Sequence, residues 1–147
     1  MSSRIVVGID GSDESVAALR WAIAEASLRK TGILALHCWV YPTSVGFPTM
    51  MLTDVGMIQK SSEALLADVI AQASAGSPAT APTVPIESVV TEGSAAQALV
   101  DASEGAEMVV VGARGHGGFM GLLIGSVASQ VVHHAKCPVV VIPKPAS

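Results

Sequence analysis

The chain has 147 residues, half of them hydrophobic and only 3% aromatic, with a formal net charge of −4. That length predicts one domain, residues 1–147, with a substantial core built from Val, Ile, Leu and Ala, as in parallel sheets buried on both faces. Eight Lys and Arg with no basic cluster exclude the positive stripe that a nucleic-acid partner requires, and no run approaches the roughly 18 apolar residues of a membrane span.

Strand and helix signals alternate along the chain. Residues 4–9 (R-I-V-V-G-I) read as a short buried strand. Asp10-Gly11-Ser12-Asp13 is turn chemistry, and Ser12 or Asp13 can cap the helix that follows to about Lys30. Val16, Leu19, Ile23 and Ala26 share one face of that helix, and Thr31-Gly32 ends it. A second strand covers 33–40. Residues 41–54, with Pro42, Gly46 and Pro48, have no period and read as a long loop, a class often used as a functional lid. Leu65, Leu66, Val69, Ile70 and Ala73 mark an amphipathic helix over about 56–75.

A Pro/Ser/Ala connector follows at 76–82, then a third strand at 84–91. Ser94-Ala-Ala-Gln97 is a capping box that opens a helix to about Ser103, with Ala95, Ala98, Leu99 and Ala102 inward. Strand four spans 107–111. After a glycine-rich stretch, a fourth helix covers about 126–135 with Val127, Val131 and Val132 on its apolar side, and a fifth strand covers 138–142. Five strands with helical crossovers imply an α/β, doubly wound parallel sheet with helices on both faces. Such sheets bind ligands beyond the strand C-termini, where the winding direction switches. Loops with suitable chemistry follow strands one and four. The sequence leaves several strand orders open; if both loops serve one site, strands one and four are neighbours, which order 3-2-1-4-5 satisfies.

The stretch after strand four carries the chemistry. Gly112 and Gly115 are followed by nine residues and then by Gly125-Ser126 at a helix start. Glycines let backbone amides approach a ligand closely, and a helix N-terminus adds unpaired N–H donors and partial positive charge. The pattern is a cradle for phosphates. No Lys precedes Ser126, so it is not a G-x-x-x-x-G-K-[ST] P-loop, and no G-x-G-x-x-G follows strand one. Asp10, at a strand's C-terminal end, can accept from two ribose hydroxyls; the competing reading is an Asx-turn or helix cap. Arg114 can pair with phosphate oxygens or stand as a solvated loop charge. Ser126 can cap the helix and contact phosphate from the same helix end.

Cys38 and Cys137 form neither a C-x-x-C nor a metal-type spacing, and read as small buried thiols. They fall at opposite ends of separate strands, so no disulfide joins them. His133 and His134 diverge by about 100° on a helix and cannot share a metal. His116 lies in the glycine stretch, and His37 reads as a packed strand residue.

G-A-R-G-x9-G-S over 112–126 resembles the G-x-x-G-x9-G-[ST] pattern of the universal stress protein family, in its ATP-binding branch. The V-V-G-I-D-G-S start, the L-H segment ending strand two and the C-P-V-V-V-I-P ending are also similar to that family. The resemblance implies strand order 3-2-1-4-5 with ATP across the switch point. It implies ribose contact by Asp10, with the backbone of Gly8 and Ile9 along the nucleoside. It places Cys38 where backbone groups read adenine, at a position where the family often has Val. Val111 and Gly112 would flank the ribose, Arg114 and Gly115 would approach the phosphates, and Gly125, Ser126, Val127 and Ala128 would supply N–H groups.

These readings imply an ATP-binding, stress-linked regulatory protein, with Mg²⁺ held mainly by phosphates and water. Neither a P-loop Lys nor a base beside the glycines is evident, so no catalytic residue is assigned; slow ATPase or autophosphorylation is the most that relatives imply. The alternatives are an enzyme of the adenine-nucleotide α-hydrolase group, for which little chain follows strand five, and a binder of AMP or cyclic AMP. The apolar strand at 139–142 falls on a sheet edge, and a homodimer through it, as in relatives, would cover it. The N-terminus lacks a signal-peptide pattern, so the expected location is cytoplasmic, with an unknown protein partner.

Overall fold

Strand-forming β-branched runs alternate with helices whose apolar stripes return to the sheet. The computed structural model describes residues 3–40, 55–77, 83–114 and 124–144. The elements are β1 (Arg4–Ile9), α1 (Asp13–Arg29), β2 (Gly32–Trp39), α2 (Val55–Ser74), β3 (Ile86–Glu92), α3 (Ala95–Ser103), β4 (Met108–Gly112), α4 (Ser126–His134) and β5 (Val139–Ile142). The sheet order is β3-β2-β1-β4-β5 and every pair is parallel, as expected from the crossovers.

Alternation along each strand divides the core in two. Ile5, Val7, Ile9, Ile33, Ala35 and Val110 face α1 and α2. Val6, Leu36, Val109 and Val111 face Leu99 of α3 and Ala128 and Val131 of α4. The central strands are apolar on both faces because both are covered, and each fully buried Val, Leu or Ile contributes about 1.5–3 kcal/mol.

Several expected details are corrected. Helix α1 runs to Arg29, close to the expected Lys30, but its stop is the left-handed Lys30 C-cap at φ 57° and not Thr31-Gly32. Gly32 is instead the first residue of β2. Strand β3 starts at Ile86 rather than Val84, and the Pro85 carbonyl already accepts from Ile33 N–H at 2.9 Å. Only half of the capping box forms. Ser94 Oγ accepts from the Gln97 amide at 3.2 Å, but the Gln97 side chain turns outward to Asp101. In α4 the buried residues are Ala128 and Val131, while Val127 and Val132 are exposed.

Strand β1 stays paired with β2 through Ile9↔His37, but its pairing with β4 stops at Val7↔Val110. Beyond that point the two strands part. The opening lies where α1 leaves to one face and α4 belongs to the other.

Candidate functional site

The parting of β1 and β4 leaves a cleft enclosing about 750 Å³, including its open mouth. Its lining is mostly apolar with a few placed polar groups, the usual make-up of a ligand site. From β1 come Gly8 and Ile9, followed by Asp10; from β2 comes Cys38. From β4 and its end come Val111, Gly112 and Arg114, and from the start of α4 come Gly125, Ser126, Val127 and Ala128. Eleven of the twelve positions expected from the sequence therefore line one cavity. The twelfth, Gly115, lies outside the described residues, as do His116 and the 41–54 segment.

Asp10 serves the turn and the cleft together. Its Oδ1 accepts from the Ser12 amide at 2.9 Å and from Ser12 Oγ at 2.5 Å. Ser12 then caps α1 by accepting from the Ser15 amide at 3.2 Å, a contact type worth about 1 kcal/mol. Between them Gly11 sits at φ +88°, a conformation that L side chains rarely adopt. The Asx-turn reading and the cleft reading of Asp10 are thus geometrically compatible.

Gly112 has a packing reason that the sequence did not suggest. A Cβ there would lie 2.8 Å from Glu14 Cβ and 3.2 Å from the Glu14 carbonyl carbon. The glycine lets the first turn of α1 close on β4.

The helix ends differ in charge. Helix α1 carries Asp13 and Glu14 in its first turn and a side-chain cap from Ser12, which suits its own dipole. Helix α4 has no acidic residue in its first turn and no side-chain cap hydrogen bond. Gly125, not Ser126, is its N-cap. The Gly125 amide donates to the Ala113 carbonyl at 2.5 Å, and the Ala113 amide donates to the Ile142 carbonyl at 2.7 Å. Gly125 N–H is therefore engaged. The first-turn amides of Ser126, Val127 and Ala128 have no intrahelical acceptor and form the electropositive end of the cleft.

The opposite end is apolar. Leu36, Cys38, Leu99 and Val111 surround Gly8, where a Cβ would stand 2.9 Å from Leu99 Cδ1. Burial pushes the Cys38 thiol pKa upward, so it behaves as a neutral apolar group. Cys38 and Cys137 are both free. Sequence reasoning missed Ser15, Leu36, Ala95, Leu99 and Ala113 as lining residues, and had Ser12 only as a cap. Leu36 was legible, because it lies two positions from Cys38 on the same strand face. Among the described residues no group of three or more His, Cys, Asp or Glu could hold a metal, and no helix is long and apolar enough to cross a membrane. His133 lies on the α4 surface with Nδ1 2.7 Å from the Ser129 carbonyl.

The sequence profile described as the universal stress protein family matches residues 1–143. The chain belongs to the universal stress protein family. Universal stress protein Rv2005c of Mycobacterium tuberculosis is 39% identical over 137 residues, which cover 93% of this chain and 44% of that protein. The chain thus spans less than half the length of this curated relative. A crystal structure of a universal stress protein in complex with cAMP shares the fold with a TM-score of 0.72 at 24% identity, covering 98% of this chain and 99% of that one. The universal stress protein from Archaeoglobus fulgidus in complex with dAMP gives a TM-score of 0.63 at 25% identity, covering 95% of this chain and 97% of that one.

Proposed function

We propose that this universal stress protein binds ATP in the β1–β4 cleft and acts as a nucleotide-dependent regulatory protein. The observation that carries the reading is the convergence on one cavity of three separate stretches, 8–10, 111–114 and 125–128, chosen for nucleotide chemistry. The dAMP complex of the Archaeoglobus fulgidus relative supports an adenine nucleotide as the ligand class. The base takes the apolar end beside Cys38 and Leu99. The ribose meets Asp10 and the backbone of Val111 and Gly112. The phosphates run toward Arg114, Gly115 and the first-turn amides of α4, with the Ser126 hydroxyl as a further donor.

Mg²⁺ is held chiefly by the phosphates and water, since no carboxylate cluster suited to it stands among the described residues. The chain holds the nucleotide rather than turning it over rapidly. The cAMP complex of a family member supports cyclic AMP as the competing ligand. Mass spectrometry of the small molecule released on acid denaturation, followed by competition among ATP, AMP and cAMP, tests the assignment. A tenfold preference for cAMP would replace ATP as the ligand.

The proposal extends to a homodimer through β5. That strand is the sheet edge and all four of its residues are only partly buried. An uncovered apolar edge invites pairing, and the same strand of a second chain would cover it with two-fold symmetry. A monomer by light scattering at micromolar concentration would contradict this.

A further inference from the structure

We infer that His37 is a positioning residue for the nucleotide site, acting through the Ile9–Asp10 peptide; this rests on the nucleotide reading above. His37 does not line the cleft. It lies on the opposite face of β2, two residues beyond Ala35, and is only 8% exposed beneath α1 and α2. Its Nδ1 stands 2.7 Å from the carbonyl oxygen of Ile9, its register partner on β1. A carbonyl only accepts, so Nδ1 carries the proton and donates.

The position of this bond gives it its role. At Ile9, β1 has already run past its last pairing with β4, Val7↔Val110, so ladder support remains on the β2 side. The carbonyl that His37 holds belongs to the peptide leading into Asp10. On the other side of Asp10, the Ser12 amide and hydroxyl hold Oδ1. The carboxylate is therefore fixed from both directions: through the peptide plane before it and through the turn after it. A buried imidazole avoids a desolvation cost only when its polar atoms are bonded, as Nδ1 is here.

The test compares His37→Leu, which removes the donor, with His37→Asn, whose side-chain amide places an N–H near the Nδ1 position. Calorimetric titration with ATP is expected to show binding weakened about three- to tenfold in His37→Leu, the scale of one hydrogen bond, and restored toward wild type in His37→Asn. Imidazole ¹⁵N spectra of the unliganded wild-type protein are expected to show a protonated Nδ1. Equal binding by wild type and His37→Leu overturns the inference. So does equal loss in both variants, which would mark a packing role, or a bare Nδ1 in the spectrum. Should His37→Leu fail to fold, His37→Asn binding near wild type with a protonated wild-type Nδ1 still supports the role, and a weakened His37→Asn overturns it. Wild-type protein that takes up no purine nucleotide overturns the reading of the site itself, and the positioning role with it.

Discussion

The amide of Gly125 donates to the carbonyl of Ala113 across 2.5 Å, joining the two ends of the glycine-rich stretch at its neck. Ala113 is itself tied to β5 through the Ile142 carbonyl. The start of α4 is thereby fixed to the end of β4, and the next three residues, Ser126, Val127 and Ala128, line the cleft. Hydrogen exchange should reflect this. The Gly125 amide is expected to exchange slowly without ligand, whereas those of Ser126 and Val127 exchange fast and become protected when ATP is added. Protection of all three without nucleotide would contradict the assignment of the open donors.

Gly112→Ala is expected to destabilise the fold by about 1–3 kcal/mol in urea unfolding, because the methyl meets the backbone of Glu14 as well as its side chain. The cost arises from packing and should appear with or without nucleotide. At Gly8 an added methyl would meet the tip of Leu99 at 2.9 Å and Val111 Cγ1 at 3.3 Å, both buried on the cleft side of the sheet. Gly8→Ala is therefore expected to cost stability through overpacking and to weaken ATP binding, since the methyl and a displaced Leu99 both intrude on the cleft.

The strands, the helices and the loops that line the cleft were legible because each rests on local signals: β-branched runs, turn residues and a fixed glycine spacing. The strand order was not encoded locally; it followed from requiring the loops after strands one and four to share one site, and from the family resemblance. What failed depended on partners distant in sequence. Helix α4 buries Ala128 and Val131, with Ala135 packing beside them, and leaves Val132 48% exposed. Hydrophobicity favoured the valines, but small Ala128 lets the helix approach the sheet closely. Gly112 looked like a phosphate-loop glycine, and its contact with Glu14 becomes visible only when α1 is placed. The His37–Ile9 bond joins residues 28 apart through sheet register, which no local pattern encodes.

Lys30→Gly is expected to stabilise the protein by about 1 kcal/mol. Lys30 is the single non-glycine residue at positive φ among the described residues, and an L side chain is penalised by roughly that amount in the left-handed region. Thermal unfolding of the variant measures it. No gain would mean that the lysine side chain offsets the strain.

Burial raises the pKa of both cysteines, but only Cys38 lines the cleft. Both thiols should react slowly with iodoacetamide at neutral pH, because the thiolate is the nucleophile. ATP should protect Cys38 and leave Cys137 unchanged. Because the folded-state pKa lies above that of the unfolded thiol, the folded chain keeps its proton longer. This contribution to stability is fully present below the ordinary thiol pKa and is lost as the pH rises from there through the raised folded-state value. A Cys38→Ser variant should show a shallower alkaline loss.

The central claim is tested most directly by calorimetric titration of the wild-type chain with ATP, with AMP and cAMP as competitors. The account predicts saturable uptake of one ATP per chain, displaced by AMP. No saturable binding of any of the three nucleotides would contradict it.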